Sequence, residues 1–137
     1  MTQRPELFRA VICMVPMLDM LRYHLFDGAS AWREEFGTAE DPEDFAALMA
    51  YSPYHQVKPG TAYPATMIVS GDADGTCNPL HARKMTAQLQ AANSSGLPIF
   101  LDYSVFRGHS PVLPLSDRIE ALTDRMAFLV DQLQLKA

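Results

Sequence analysis

Several features that would assign a function at once are missing from this sequence of 137 residues. Its two cysteines, Cys13 and Cys77, do not make a disulfide framework, and no spacing typical of metal ligands occurs. No apolar run is long enough to span a membrane, and the N-terminus has no signal-peptide core, so we expect a cytoplasmic protein without a membrane partner. A net charge of −5, with no basic patch, argues against nucleic acid as a partner.

The composition that is present is that of a globular protein. With 48% hydrophobic and 20% charged residues, the chain can bury one core of ordinary size. No internal repeat and no linker divides it, so we predict a single domain over residues 1–137. No cofactor motif is present, and we predict no cofactor.

Three apolar segments lack the alternation of a half-exposed strand. They are Ala10–Pro16, Ala65–Gly71 and Pro98–Phe106. Apolar runs of this kind are typical of parallel strands that are covered on both faces.

Helical patterns separate these segments. We predict short helices over Ser30–Phe36 and Pro42–Tyr51, and a third helix that opens at Asn78 and Pro79 and runs to about Asn93. We predict a fourth helix capped by Ser116, with one apolar stripe formed by Ile119, Leu122, Met126, Leu129 and Leu133. This order of elements predicts an α/β domain, a parallel sheet flanked by helices.

Candidate catalytic side chains follow the second and third predicted strands. The stretch "SGDADG" supplies Asp72 and Asp74, and "FRGHSP" supplies His109. The carboxyl ends of parallel strands meet at one edge of a sheet, where active sites of α/β proteins lie. An acid followed by a histidine is also the order of the Ser…Asp…His triad in α/β hydrolases, in which the acid orients the imidazole as a general base.

The residues of these loops allow two other interpretations. A calcium loop beginning at Asp72 is excluded, because its twelfth position is Arg83 and not a glutamate. Turn residues without a catalytic role are the remaining alternative. If His109 is a base, we expect Gly108 to allow a sharp turn and Pro111 to fix the exit from it.

A set of short motifs occurs in order along the whole chain. They are "QRPELF" (3–8), "LDMLRYH" (18–24), "AW" (31–32), "YSPYHQV" (51–57), "YPATMIVSGDAD" (63–74), "PLH" (79–81) and "GH" (108–109). Together they resemble the C-terminal part of the catalytic domain of the prolyl oligopeptidase family of serine peptidases. The resemblance implies a truncated α/β-hydrolase fold with a parallel sheet of three strands or little more. It also implies a serine hydrolase that cleaves peptide bonds or small acyl esters.

The resemblance also implies roles for particular residues. The family's catalytic acid falls on Asp74 and its catalytic base on His109, with Asp72 as a structural neighbour. The family's pocket for a proline ring falls on Met17, Trp32, Phe36 and Cys77.

Two departures from the family pattern bear on activity. Where the family has an arginine that grips a peptide carbonyl, this sequence has Thr76, which favours a small ester over a peptide. The family's G-x-S-x-G nucleophile motif is absent from the sequence, as are the earlier strands of its sheet. The chain is then either a non-catalytic fragment or association module of a longer enzyme, or a minimal hydrolase with a substitute nucleophile. The candidates are Ser30, Ser70, Ser104, Ser110, Ser116 and Cys77.

The first predicted strand has a consequence for assembly. In the family, the strand that matches Ala10–Pro16 is paired on both sides, and here its upstream neighbour is missing. An uncharged, apolar strand edge is a template for pairing with another chain. We therefore predict a homodimer or higher oligomer through the Ala10–Pro16 region, an assembly that could also bring a serine from one chain to His109 of another.

Overall fold

A computed structural model describes residues 1–110 and 112–136, so the predicted role of Pro111 lies outside the described residues. Its centre is a parallel sheet of three strands: β1 (Ala10–Met14), β2 (Ala65–Gly71) and β3 (Ile99–Ser104). The strands lie side by side in the order β1-β2-β3. The predicted α/β class and the three parallel strands are therefore confirmed.

The predicted strand bounds and burial need correction at the two outer strands. Ala10–Pro16 and Pro98–Phe106 are each longer than the strands that form. β1 ends at Met14 because Val15 has a φ of 42°, a left-handed conformation that interrupts the extended backbone and that branched residues rarely adopt. Only β2 is buried at every position, whereas Phe100 in β3 is 51% exposed. β1 and β3 form the edges of the described sheet, so their side chains are covered less completely.

The helices follow the predicted order. They are α1 (Arg33–Phe36), α2 (Pro42–Tyr51), α3 (Leu80–Ala92) and α4 (Leu115–Gln132), with short 3-10 helices at Pro5–Leu7, Tyr23–Leu25 and Ala29–Trp32. Within the described part of the chain, no helix combines the length and the apolar character needed to cross a bilayer.

Polar side chains set the starts of two of these helices. The Asp41 carboxylate accepts hydrogen bonds from the backbone N–H groups two and three residues later, 2.8 and 3.2 Å away, and so caps α2. The Asn78 side chain accepts from the N–H of Leu80 at 2.9 Å, as its predicted capping position requires. The predicted cap at Ser116 is wrong. The capping position is Pro114, two residues before the predicted cap, and its extended backbone forms the turn into α4 at Leu115.

The two long helices cover opposite faces of the sheet. Successive residues of a strand point to opposite faces. Ile68 of β2 therefore packs in a cluster with Leu89 of α3, while Val69 packs with Phe128 of α4. The core thus lies in two layers on either side of β2.

The predicted apolar stripe of α4 is only partly buried. Ala121 and Phe128 are the buried residues of this helix, and Leu129 packs beside Phe128. The exposed members of the stripe are Ile119, Leu122, Met126 and Leu133. α4 contacts the sheet through Ala121 and Phe128, which lie beside the predicted stripe. The exposed members of the stripe therefore form an apolar flank of α4 that has no partner among the described residues.

The long segment between β1 and β2 has a small core of its own around Tyr23. The Tyr23 ring is fully buried and lies edge-on to Phe36, with 5.9 Å between ring centroids. Its hydroxyl donates to the carbonyl of Gly37 at 2.6 Å and lies 3.3 Å from the carbonyl of Trp32. One side chain therefore fixes the path of the Trp32–Gly37 backbone.

A buried carboxylate joins this segment to the rest of the fold. Asp19 is inaccessible to solvent, and its carboxylate accepts hydrogen bonds from Lys84 of α3 and from Arg22 at 3.1 Å. The backbone N–H of Asp19 donates to Nδ1 of His81 at 3.1 Å. Nδ1 of His55, in the segment after α2, lies 3.8 Å from the other carboxylate oxygen. Three parts of the chain therefore meet at one residue.

The electrostatics of Asp19 favour its charged form. Burial alone would raise the pKa of Asp19, but the hydrogen bond and charge of Lys84, together with Arg22, outweigh burial and hold the pKa below its usual value. A carboxyl whose pKa is lower in the folded than in the unfolded state stabilises the fold above its unfolded pKa. That stability is lost as the pH falls through the folded pKa.

We therefore expect Asp19→Asn to lower the free energy of unfolding at pH 7 by about 1–3 kcal/mol, less than for a fully buried pair because Arg22 and Lys84 reach solvent. The difference from the parent should shrink below about pH 4, where the unfolded carboxyl is protonated. Urea unfolding at several pH values measures it. The exposed Asp124→Asn is the control, and a difference that does not change with pH would contradict the role of the Asp19 charge.

Candidate active site

The acid and histidine predicted from the sequence lie in contact. Asp74 follows β2 and His109 follows β3, and Oδ2 of Asp74 is 3.2 Å from Nδ1 of His109. The Asp74 side chain is fully buried, while the His109 side chain is 42% exposed. A buried carboxylate behind a solvent-reachable imidazole is the arrangement that a general base requires.

Backbone groups hold the Asp74 carboxylate in place. Its Oδ1 accepts hydrogen bonds from the N–H groups of Thr76 at 2.9 Å and Cys77 at 2.8 Å. Because an ionised carboxylate can only accept, Nδ1 of His109 carries the hydrogen that it shares with Oδ2. This leaves Nε2 of the neutral imidazole as the nitrogen that can take a proton.

The loops after β2 and β3 touch through their backbones. The N–H of Asp72 donates to the carbonyl of Ser104, and the N–H of Ala73 donates to the carbonyl of Arg107, each at 3.1 Å. A Cβ atom on Gly71 would lie 2.6 Å from both Cβ of Arg107 and the carbonyl oxygen of Ser104. Glycine is therefore required at position 71 by the close approach of the histidine loop.

Gly108 serves packing rather than the sharp turn predicted for it. Its φ is not positive, unlike those of Gly37, Gly60 and Gly96. A Cβ atom on Gly108 would lie 3.2 Å from the carbonyl oxygen of Ala73, which is tighter than ordinary contact. The absence of a side chain lets the two loops lie against each other.

Arg107 anchors the histidine loop to the sheet. Its Nη1 donates to the carboxylate of Asp102 at 2.9 Å and to the carbonyl of the same residue at 3.1 Å. It also lies 3.4 Å from the carbonyl of Ser70 in β2. The one signal in the sequence is Asp102, a carboxylate within a mainly apolar predicted strand, which requires a charged or polar partner nearby.

Asp72 turns away from His109. It forms an ion pair with Arg83 at 2.7 Å and accepts a hydrogen bond from the hydroxyl of Tyr103. The Arg83 guanidinium also lies 4.6 Å from the centre of the Tyr103 ring. These contacts tie the acid loop to α3 and β3, which agrees with Asp72 as a structural neighbour. Among the residues that the structure describes, no group of three or more His, Cys, Asp or Glu is placed to hold a metal ion.

A cavity of about 220 Å³ opens beside His109. It brings together all four residues predicted for the substrate pocket, and its lining is Met17, Trp32, Glu35, Phe36, Thr76, Cys77 and His109. The sequence did not point to Glu35, which the turn of α1 brings to the cavity. Burial and the charge of Asp74 raise the pKa of the Cys77 thiol, so it is a poor nucleophile at neutral pH.

A second cavity, of about 210 Å³, lies on the other side of His109, between the end of β1 and α4. Its lining is Met14, Val15, Val69, Arg107, Gly108, His109, Ser110, Leu113, Arg118, Ala121, Leu122 and Arg125. We call it the β1–α4 cavity. His109 therefore stands between two open spaces, one bounded by the predicted pocket residues and one bounded by α4.

The candidate nucleophiles differ in their surroundings. Ser70 is buried within β2, and the Ser104 hydroxyl accepts a hydrogen bond from a neighbouring backbone N–H at 3.2 Å. Ser116 donates to the carboxylate of the residue that follows it, and Ser30 is exposed on a 3-10 helix. Ser110 is exposed next to His109. Within residues 1–110 and 112–136, no hydroxyl or thiol is hydrogen-bonded to His109.

A second Ser, His and Asp grouping occurs away from this edge. The Ser52 hydroxyl lies 2.9 Å from Nδ1 of His55, and the same nitrogen lies 3.8 Å from Asp19. In a triad, the serine and the acid contact different ring nitrogens. Ser52 is also fully buried and bonded to the backbone of Leu18 and Met20. This grouping is therefore part of the Asp19 network and not a catalytic site.

The parallel sheet between two helical layers, with an acid and a histidine at its carboxyl edge, defines part of an α/β-hydrolase fold. The Prolyl oligopeptidase family model matches residues 1–136, and the chain belongs to this family.

Similarity to individual prolyl endopeptidases supports this assignment. A prolyl endopeptidase of Elizabethkingia meningoseptica is 36% identical over 138 residues, which is 100% of this chain and 20% of that protein. A solved prolyl endopeptidase is 44% identical, with a TM-score of 0.95 over 99% of this chain and 20% of the other. A post-proline cleaving enzyme from Rickettsia typhi is 33% identical, with a TM-score of 0.90 over 100% of this chain and 20% of the other. The chain thus spans about a fifth of the length of these relatives.

The loop contact yields a direct test. We expect Gly71→Ala to lower the free energy of unfolding by about 1–3 kcal/mol, because the added methyl group must push the histidine loop away. Gly75→Ala, in the loop that follows β2, is the control, since a Cβ atom there meets nothing within 4 Å. Denaturant unfolding compares the two variants. Equal stability of both would contradict the close approach of the loops.

Proposed function

We propose that this chain supplies the acid and the base of a serine hydrolase of the prolyl oligopeptidase type, which cleaves peptide bonds or small acyl esters. The observation that carries the proposal is the contact between the buried Asp74 carboxylate and Nδ1 of the partly exposed His109. Asp74 orients the ring and stabilises its charged form, while Nε2 accepts the proton of the nucleophile.

The proposed reaction proceeds in two stages. Nε2 takes the proton from a serine hydroxyl as its oxygen forms a bond to the carbonyl carbon of the substrate. The imidazolium then returns this proton to the leaving amine or alcohol when the bond to the carbonyl carbon breaks. The acyl group is then held as an ester of the serine oxygen. Water loses a proton to Nε2 as it bonds to the carbonyl carbon, and the serine oxygen takes this proton back when the ester bond breaks and the carboxylic acid product leaves.

The cavity beside His109 supports a substrate with a small apolar group. Met17, Trp32 and Phe36 provide apolar walls, and an indole face suits a flat ring such as that of proline. Glu35 brings a negative charge to the lining, which disfavours an acidic substrate. Thr76, in place of the family's arginine, favours small esters over extended peptides.

The source of the nucleophile separates two versions of this proposal. Ser110 is the exposed hydroxyl nearest to His109 in sequence, and within this chain it is the first candidate to test. In the second version, the serine comes from outside these residues, and this chain contributes Asp74 and His109 to the shared site.

Ester hydrolysis tests the role of His109. For a short-chain p-nitrophenyl ester, we expect His109→Ala to lower kcat by about a hundredfold or more, the usual contribution of a general base. Thr76→Ala should have little effect, because Asp74 is held by the backbone N–H of residue 76 and not by its side chain. Unchanged turnover in the folded His109 variant would overturn the assignment of the base.

A fluorophosphonate probe identifies the nucleophile. Stoichiometric labelling of one residue, lost in His109→Ala, is expected if the chain is a complete hydrolase. Labelling that is lost in Ser110→Ala would assign that residue. A folded chain that neither labels nor hydrolyses the ester would exclude the first version, in which this chain carries its own nucleophile.

A further inference from the structure

A buried histidine outside the candidate active site accepts a hydrogen bond that only its neutral form can accept. His81, in the first turn of α3, is 2% exposed, and its Nδ1 lies 3.1 Å from the backbone nitrogen of Asp19. A backbone N–H group can only donate, so Nδ1 carries no hydrogen and the neutral ring holds its hydrogen on Nε2. The geometry of this contact therefore fixes the protonation state of His81.

The contact lies beside the wall of the cavity next to His109. Met17, two residues before Asp19, lines that cavity. Met20, directly after Asp19, is buried in the small core of the long segment between β1 and β2, against which Met17 and Trp32 also pack. The backbone of Asp19 therefore joins the cavity wall to the core that supports it.

The backbone groups on either side of Asp19 have partners that acid does not change. The carbonyl of Leu18 accepts from the N–H of Tyr54 at 3.0 Å, and the N–H of Met20 donates to the hydroxyl of Ser52 at 3.0 Å. Neither contact involves a titratable group. Of the three contacts along this stretch, that of His81 is the one that a proton breaks.

The second histidine near Asp19 can gain a proton without losing its partner. Nδ1 of His55 lies 2.9 Å from the hydroxyl of Ser52, which can either donate or accept. Protonated His55 can therefore donate to this hydroxyl. Protonated His81 would instead point an N–H group at the N–H of Asp19, which leaves a buried donor without a partner and weakens the fold there.

The surrounding charges favour neutral His81. The titratable and charged groups near the contact are Asp19, Arg22 and Asp27 in the long segment, His55 after α2, and Lys84 on α3. Burial, aided by the charge of Lys84, outweighs the charge of Asp19 and lowers the pKa of His81. A histidine whose pKa is lower in the folded state stabilises the fold above its unfolded pKa of about 6.5, and this stability is lost as the pH falls towards the folded pKa. Asp19 stays charged in this range, because its own pKa is held below the usual value.

We propose that His81 is a positioning residue for the cavity beside His109, which holds the cavity wall through Asp19 while neutral and releases it in mild acid. The acid–base pair is held by the loops after β2 and β3, so this release leaves the contact between Asp74 and His109 in place. The consequence for substrate binding rests on the proposed function, whereas the release itself is a property of the fold.

Amide hydrogen exchange of the full chain, followed by NMR between pH 8 and pH 5, tests the release. After correction for the intrinsic effect of pH on exchange, the opening constant of the Asp19 amide should rise by at least about fivefold at pH 5. An unfolded pKa of about 6.5 sets an upper limit of about 30-fold. The amides of β2 open only with the whole fold, so they should stay better protected than that of Asp19 at every pH.

Two matched substitutions isolate His81. In His81→Asn, the amide oxygen takes the place of Nδ1, accepts the N–H of Asp19 and does not titrate, so the rise in acid should disappear. His55→Asn is the control, and it should keep the rise. His81→Leu removes the acceptor and should open the Asp19 amide to a similar extent at all pH values.

The amide of Ala29 reports on the cavity wall. It donates to the carbonyl of Phe26 at 3.2 Å, and Ala29 is buried in the small core against which Trp32 packs. In acid it should open together with the Asp19 amide in the parent chain, but not in His81→Asn. None of these measurements needs turnover, so an inactive chain would count against the proposed function alone.

Three results would overturn the proposal for His81. The first is an Asp19 amide whose corrected protection does not change between pH 8 and pH 5, or changes as much in His81→Asn as in the parent. The second is a rise that disappears in His55→Asn. The third is an Asp19 amide that opens without that of Ala29, or only together with those of β2.

Discussion

The contact between two loop backbones governs the geometry of the candidate site. Gly71 and Gly108 lack side chains where the loops after β2 and β3 meet, and backbone hydrogen bonds join the loops at that point. Arg107 ties the same contact to β3. The approach of Asp74 to His109 follows from this arrangement, since each is only a few residues from it. A side chain at either glycine would act on the acid–base pair without touching it.

The cavity beside His109 depends on a different part of the chain. The long segment between β1 and β2 has its own core around Tyr23, and it places Met17, Trp32 and Phe36 at the cavity beside His109. The buried Asp19 carboxylate joins that segment to α3 by accepting a hydrogen bond from Lys84. His109 is thus held by backbone packing and the cavity beside it by a polar network, so the two can be perturbed separately.

The sequence predicted the class of fold, the strand order along the chain and the acid and histidine loops, because these depend on local apolar runs and on the rule that parallel strand ends meet. It also predicted the four pocket residues that the cavity brings together, although only through resemblance. It failed where long-range packing decides. The stripe of α4 and the covered faces of β1 and β3 depended on neighbours that the described fold does not provide. The cap at Ser116 was wrong for a local reason, because the turn into α4 lies at Pro114. Gly108 was predicted to allow a turn but serves packing instead. Arg107 was not predicted, although its partner Asp102 is only 5 residues away, and Glu35 was not predicted because only the fold brings it to the cavity.

The way Asp74 is held has a consequence for how this site can change during evolution. The backbone N–H groups of Thr76 and Cys77 donate hydrogen bonds to the Asp74 carboxylate, while the two residues also line the cavity. Every residue except proline offers the same N–H group. Substitutions at positions 76 and 77 can therefore reshape the pocket while the acid stays in place. Single substitutions in this loop can therefore change the shape of the cavity while the contact between Asp74 and His109 is kept.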